Sequence, residues 1–99
     1  NYKHLGDIYG ELLLYLEGPE VYASTPAEKR GEETIKSVRR MERRLHKLCG
    51  LPMTLKEVKV EKKGFDAVAK TALNDGAMLA NPAAVEYDDV IMILNQAYE

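Results

Sequence analysis

The chain has 99 residues, of which 14 are basic and 16 acidic, and its formal net charge is −2 at pH 7. This length suits one small domain with a modest core, and the balanced charge indicates no nucleic acid or membrane surface as a partner. The longest uninterrupted apolar run, residues 12–16, is too short to span a bilayer, and no secretory-signal pattern opens the chain, so a cytoplasmic protein is expected.

The first helix is predicted over residues 2–16, where apolar side chains recur at steps of three and four. Gly6 and Gly10 lie one turn apart on this helix and weaken it by about 1 kcal/mol each relative to alanine. They are therefore expected to let a neighbouring element approach closely. Gly18 and Pro19 then end the helical period, and a polar connection is predicted as far as Ser24.

The second helix is predicted over residues 26–49. Thr25, Pro26 and Glu28 match a capping box with proline at the first helical position, and Gly50 supplies the stop. Basic residues crowd the later half, where they suit the helix dipole and could alternatively touch phosphate. Cys49, the only cysteine, can form no internal disulfide or thiolate cluster and is predicted to be buried. The apolar side chains form one stripe of Ile35, Val38, Met41, Leu45, Leu48 and Cys49.

The second half of the chain is predicted to hold two more helices, over residues 64–74 and 86–98. Residues 54–57 repeat the capping-box pattern and predict a single helical turn, which a charged loop over residues 59–63 follows. No segment alternates with a period of two. The predicted fold class is therefore all-α, a small bundle of about four main helices plus a short helical turn, in a single domain over residues 1–99.

The motifs offer no catalytic or metal-binding constellation. His4 and His46 are the only histidines, and they lie on separate predicted helices with no second ligand at a standard metal spacing. Neither of the two serines lies in a nucleophile elbow. Asp88 and Asp89 could bind a hard cation, but the first turn of a helix favours acidic residues for structural reasons alone.

The segment between the last two predicted helices is unusually apolar for a loop. It reads DGAMLANP from Asp75 to Pro82; Gly76 is predicted to stop the preceding helix, and the proline restricts the backbone of Asn81. GLPMTL at residues 50–55, KEVKV after it, and AKTALNDGAMLANPAAVEYDDVIMILNQAY at residues 69–98 resemble the C-terminal end of the iron-containing (metal-dependent group III) alcohol dehydrogenases. That resemblance implies the C-terminal part of a dehydroquinate synthase-like α-domain.

The resemblance further implies a C-terminal fragment of a longer two-domain enzyme that oxidises an alcohol with NAD(P). In that family an upstream Rossmann-like domain binds the nicotinamide cofactor, and one aspartate and three histidines of upstream segments bind a divalent metal, usually iron. The implied partners are these upstream nucleotide-binding and metal-binding parts of the same polypeptide, with a homo-oligomer as a further alternative. The fragment itself is expected to carry no cofactor, metal or catalytic residue and to be inactive when isolated.

The resemblance implies that this region contributes to domain packing and forms part of the wall of the catalytic cleft. By position, the resemblance assigns Ala77, Met78, Leu79 and Asn81 to that wall. Ala77 and Met78 stand where many members carry Cys-Thr, and Ala83 stands where an arginine often follows Asn-Pro. Because the wall is altered at these positions, the choice of alcohol does not transfer from the family.

Two interpretations of different class result. In the first, the chain is part of a dehydrogenase; Ala77 then lies at the cleft surface, whereas Leu73 and Ile91 are core residues. In the second, the chain is a free-standing helical module that binds a partner protein through the apolar stripes of its first and last helices.

Overall fold

Five α-helices and two short 3-10 helices build residues 1–99 in the computed structural model, and no β-strand is present. The α-helices are α1 (Tyr2–Glu17), α2 (Pro19–Ser24), α3 (Ala27–Cys49), α4 (Phe65–Leu73) and α5 (Tyr87–Tyr98), and the 3-10 helices span Lys62–Gly64 and Gly76–Ala80. The all-α prediction is confirmed. The bounds of α1, α3, α4 and α5 differ from the predicted ones by at most one residue at each end.

The helices form two compact units, Asn1–Leu51 and Pro52–Glu99. The single domain over residues 1–99 stays a prediction. None of the helices combines the length and the apolar character that a membrane crossing requires.

In the first unit, α1 and α3 approach each other through glycines. A Cβ added at Gly31 would lie 2.6 Å from the Tyr2 ring and 2.7 Å from the carbonyl oxygen of Gly6. A Cβ added at Gly10 would lie 3.2 Å from Cβ of Arg30. The predicted close approach at the α1 glycines is therefore confirmed, and α3 contributes a third glycine that makes the contact tighter.

The buried face of α3 is small and polar rather than apolar. Gly31, Thr34 and Ser37 are buried at one-turn spacing, and the Thr34 hydroxyl donates to the carbonyl oxygen of Tyr9 at 2.7 Å. Leu13 of α1 is the large side chain that is fully buried here. Most of the predicted apolar stripe is instead exposed, namely Val38, Met41, Leu45, Leu48 and Cys49. The prediction of a buried thiol at Cys49 is wrong, because the end of α3 that carries it lies in solvent.

The connection between α1 and α3 also differs from the prediction. Gly18, with φ of 87°, ends α1 as expected, but Pro19 begins the helix α2 rather than an irregular segment. The Thr25 hydroxyl donates to the carbonyl oxygen of Val21 at 2.7 Å, so it completes α2 and does not cap α3. Pro26 consequently lies at the position before α3 with an extended ψ of 139°, and the predicted capping box is wrong.

In the second unit, α4 packs against α5 around an aromatic contact. The rings of Phe65 and Tyr98 meet edge to face with centroids 5.9 Å apart. Leu73 and Ile91, predicted as core residues, are only half-buried. The core residues of this unit are Phe65, Ala69 and Val90.

Residues 54–59 form a turn rather than a helix, and that turn is tied to α5. The Thr54 hydroxyl accepts from the N–H of Glu57 at 3.2 Å, and the Glu57 carboxylate accepts from the N–H of Met53 at 2.8 Å. This arrangement is close to the predicted capping box, shifted by one residue. The N–H of Leu55 donates to the carbonyl oxygen of Ala97 at 2.9 Å, which holds the turn beside the end of α5.

Candidate functional site

The segment that follows α4 is ordered by its own hydrogen bonds. α4 ends at Leu73, and the Oδ1 atom of Asp75 accepts from the N–H of Ala77 at 2.8 Å. Asp75 therefore caps the 3-10 helix Gly76–Ala80. Gly76 does not adopt the left-handed conformation of a helix-stopping glycine, so its predicted role as the stop of α4 is wrong: it starts the next helical turn.

The exit of this segment is fixed at Asn81. Its N–H donates to the carbonyl oxygen of Met78 at 3.1 Å, and its side-chain amide donates to the carbonyl oxygen of Ala83 at 2.6 Å. Asn81 is extended, with φ of −70° and ψ of 129°, as expected for a residue that precedes proline. The predicted restriction of the backbone at Asn81-Pro82 is confirmed.

Residues 72–82 border a shallow concave surface that is open to solvent and has a volume of about 470 Å³. We call it the α4–α5 concavity; it is lined by Ala72, Asp75, Ala77, Met78, Ala80, Asn81 and Pro82. Of the four residues assigned to a cleft wall, Ala77, Met78 and Asn81 are brought together here. Their role in a catalytic cleft stays a prediction.

Leu79, the fourth residue, does not line the concavity and is 92% exposed. The reason is the three-residue period of the 3-10 helix, which puts side chains three apart on the same face. Ala77 and Ala80 share one lining face and Met78 and Asn81 the other, which leaves Leu79 on the third face with Gly76.

A hydrogen bond from a tyrosine hydroxyl to a carboxylate joins the start of α5 to α4. The Tyr87 hydroxyl donates to Oδ1 of Asp66 at 2.9 Å, and Nζ of Lys70 lies 2.9 Å from Oδ2. The hydrogen bond from Lys70, and then that from Tyr87, lower the pKa of Asp66, while the same carboxylate raises the pKa of the Tyr87 phenol. Asp66 therefore links α4 to the first residue of α5.

The acidic residues at the start of α5 have a structural role. Glu86 and Asp89 form a reciprocal capping box, in which Oδ2 of Asp89 accepts from the N–H of Glu86 at 2.9 Å. This explains an acidic first turn without a bound cation.

The first unit contains an ionic cluster that sequence reasoning missed. Oε1 of Glu17 accepts from the Ser37 hydroxyl at 2.5 Å and from Arg40 at 2.7 Å, and Arg40 also donates to Glu33 at 2.8 Å. The bond from Ser37, followed by that from Arg40, lowers the pKa of Glu17. No sequence pattern pairs Glu17 with Ser37, because the two meet only through the packing of α1 on α3.

Comparison with known proteins decides the family. The model of the C-terminal part of the Fe-containing alcohol dehydrogenase family matches residues 2–98. The chain belongs to this family. The resemblance noted from residue 50 onward is confirmed, and the family match extends it through the first three helices.

Two relatives of the chain come from yeast. The chain is 34% identical over 68 residues to alcohol dehydrogenase 4 of Saccharomyces cerevisiae strain YJM789, and equally to that of strain ATCC 204508 / S288c. The aligned part covers 69% of this chain and 17% of each relative, so the chain spans only a small part of their length. No solved structure matches the chain.

The metal implied by an Fe-containing alcohol dehydrogenase needs several donor side chains in one place. No group of three or more His, Cys, Asp or Glu residues is placed to hold a metal ion. His46 Nδ1 lies 2.8 Å from the carbonyl oxygen of Leu51, which is a local contact at the end of α3. The donor set of this chain does not fit a metal site by itself.

Proposed function

We propose that the chain is the C-terminal helical portion of a cytoplasmic NAD(P)-dependent alcohol dehydrogenase, and that residues 75–82 form part of the wall of its catalytic cleft. The observation that carries this proposal is the α4–α5 concavity, because it is built by the segment whose sequence resembles the family's C-terminal loop. The concavity is open to solvent, so it supplies one wall of such a cleft and not the whole of it.

The remaining walls, the nicotinamide cofactor and the metal come, in this proposal, from upstream parts of the same polypeptide. Two observations support that partner. The donor set of the chain does not fit a metal site, and the part aligned with the yeast relatives covers 17% of their length. The isolated chain is accordingly proposed to be inactive.

The exposed apolar surface of the first unit supports a second role for the chain, which is to pack against another part of the enzyme. Tyr9, Leu12 and Leu16 of α1 and Ile35 and Val38 of α3 line a second concavity of about 300 Å³. The stripe continues along α3 through Met41, Leu45 and Leu48, all exposed. Contiguous apolar surface of this kind marks a contact with another polypeptide segment, and we propose that the upstream part of the enzyme covers it.

The cleft assignment is tested by Ala77→Phe in the full-length protein. Ala77 is exposed and lines the concavity, so the phenyl ring fits without unfolding the chain but occupies substrate space. We expect kcat/KM for bulky alcohols to fall by about 100-fold, because a misplacement of ~1 Å at a reacting centre can cost that much in rate. Ala84→Phe is the matched control, since Ala84 is exposed just after this segment and does not line the concavity.

The result that overturns the cleft assignment is equal activity of the two variants, or a loss of folded protein with Ala77→Phe while the folded remainder stays fully active. A full-length protein that oxidises no alcohol with NAD or NADP would contradict the dehydrogenase proposal and favour a free-standing interaction module. The isolated chain, assayed with both cofactors, is expected to show no turnover.

A further inference from the structure

Charge is unevenly distributed over the helices, although the formal net charge of the whole chain is only −2. Residues 39–48 of α3 include five basic residues and one acidic residue, which gives a formal charge of +4 with His46 neutral. Residues 86–99, which include α5, have four acidic residues and no basic one, a formal charge of −4. The chain therefore carries two helical segments of equal and opposite charge.

The basic segment of α3 is exposed on all sides. Every residue in the range 38–49 is exposed to solvent. The ion pairs that involve α3 use residues 32–40 of that helix, and neither Arg43 nor Lys47 takes part in one. These two residues are one turn apart, and like charges at that spacing repel each other. A surface of opposite charge would offset this repulsion.

Arg43 and Lys47 lie on a different side of α3 from its apolar stripe. Arg43 is two residues from both Met41 and Leu45, and Lys47 is two residues from Leu45. Residues two apart do not share a face of a helix. A segment that covers the apolar stripe therefore leaves these two cations open to solvent, and we call them the basic face of α3.

The last helix has an exposed face of opposite charge, which we call the acidic face of α5. It consists of Asp88, Met92 and Glu99, whose spacings of four and seven residues keep them on one side of the helix. All three are exposed, and neither carboxylate takes part in an ion pair. α5 and the exposed part of α3 have 12 residues each, about 18 Å at the helical rise. The two faces therefore match in sign of charge and in length.

We propose that the basic face of α3 in one copy of the enzyme binds the acidic face of α5 in a second copy. Charge complementarity carries this proposal, since each face bears a single sign of charge. Every copy has both faces, so a two-fold dimer contains the contact twice. None of these residues lines the α4–α5 concavity, so the proposal goes beyond the cleft assignment and does not depend on it.

The test is self-association of charge-reversed variants of the full-length protein, measured by sedimentation equilibrium. Arg43→Glu combined with Lys47→Glu should weaken the association by about tenfold, because attractive contacts become repulsive. Asp88→Lys combined with Glu99→Lys should weaken it similarly. An equimolar mixture of the two double variants should regain the association of the unaltered protein, since every contact between them again joins opposite charges. Added salt should weaken the association of the unaltered protein, because salt screens exposed charges.

Lys3→Glu combined with Lys29→Glu is the control, because it makes the same change in net charge at exposed positions outside both faces. It should associate like the unaltered protein. Equal weakening in the control and in the Arg43 and Lys47 double variant overturns the proposal. So does a mixture that associates no better than either double variant alone, or a full-length protein that stays monomeric. A protein that associates as expected but oxidises no alcohol contradicts the proposed function alone.

Cross-linking identifies the contact directly. Copies of the full-length protein grown with ordinary and with heavy nitrogen are mixed and treated with a carbodiimide, which joins amines to neighbouring carboxylates. Lys47 should be joined to Asp88 or Glu99 in linked peptides that carry both isotopes, whereas Lys29 should not be joined to α5. Linked peptides of Lys47 and α5 that lack the mixed-isotope form, or the absence of any such link, overturn the contact between copies.

Discussion

The helices inside each of the two compact units are held together by a different kind of contact. In Asn1–Leu51, the helices meet through glycines and hydroxyl groups, and Leu13 is the one large side chain that is fully buried. In Pro52–Glu99, they meet through Phe65, Ala69 and Val90. The first unit therefore depends on close backbone approach, whereas the second depends on filling space with side chains.

This difference shows that the apolar face of a helix need not be its buried face. On α3, the buried positions are Gly31, Thr34 and Ser37, while Met41, Leu45 and Leu48 are exposed. The repeat of apolar residues at helical spacing indicates a helix, because every amphipathic helix shows such a repeat. It does not reveal which face packs within the same unit.

The largest expected effect is that of Phe65→Ala, which removes the ring that fills the second unit. A substitution of this kind in a core costs about 3–5 kcal/mol through the lost burial and the remaining cavity. Amide hydrogen exchange of the full-length protein should show the loss of protection in α4 and α5. Val68→Ala, at a position that is 48% exposed on the same helix, should change protection little. Equal losses in the two variants would contradict the side-chain core of this unit.

Gly31→Ala should have a smaller effect, of about 1–3 kcal/mol, confined to the first unit. The new methyl group would meet the Tyr2 ring at 2.6 Å and the backbone oxygen of Gly6 at 2.7 Å, so α1 and α3 must separate. Gly6→Ala is the control: its methyl group would have its nearest neighbour at 3.7 Å, and alanine favours a helix by about 1 kcal/mol over glycine. Hydrogen exchange in α1 and α3 should therefore quicken in the first variant and not in the second. Equal exchange rates in the two variants would contradict the close backbone packing of α1 against α3 at Gly31.

The smallest expected effect concerns the pH dependence of stability. It is a difference in the pH at which each unit begins to lose stability as acid is added. Hydrogen bonds from Ser37 and Arg40 lower the pKa of Glu17 below its ordinary 4.5, and Lys70 and Tyr87 lower that of Asp66 below 3.8. A lowered folded-state pKa gives stability that is present above the ordinary value and lost as the pH falls through the folded value. The stability that the Glu17 contacts contribute should thus begin to fall at a higher pH than that contributed by the Asp66 contacts.

Hydrogen exchange followed from about pH 6 downward measures this order. Glu17→Gln should flatten the acid dependence of α1 and α3 and leave that of α4 and α5 unchanged, and Asp66→Asn should do the reverse. Glu11→Gln, at an exposed carboxylate of α1, is the control. An acid dependence of the first unit that is the same in Glu17→Gln and in the unaltered protein would exclude the Glu17 contacts as its cause.

The sequence predicted the long helices well because each carries several turns of periodic apolar residues. It missed α2, since Pro19–Ser24 has six residues and shows no complete period. It also misassigned Thr25, whose hydroxyl can serve the end of one helix or the start of the next; only the structure shows that it bonds to Val21. A capping residue between two directly consecutive helices can therefore be assigned to either helix from sequence alone.

At the candidate site, the position of the segment could be predicted but its faces could not. The Asp75-Gly76 pair suggested a helix stop, yet the aspartate caps a new turn. The resemblance grouped Leu79 with Ala77 because both lie in the matching loop, and the three-residue period of the 3-10 helix separates their side chains. Nearness in sequence therefore did not predict which side chains face the same space.

The hydrogen bonds of residues 75–82 have a consequence for the entropy of binding. Asp75, Met78 and Asn81 each take part in a bond that closes the backbone locally, and Pro82 removes a further rotational freedom. Fixing a flexible residue costs about 1–2 kcal/mol in conformational entropy, and here folding has already met that cost before any ligand arrives. A molecule that occupies the concavity thus loses little of its contact energy to ordering the segment.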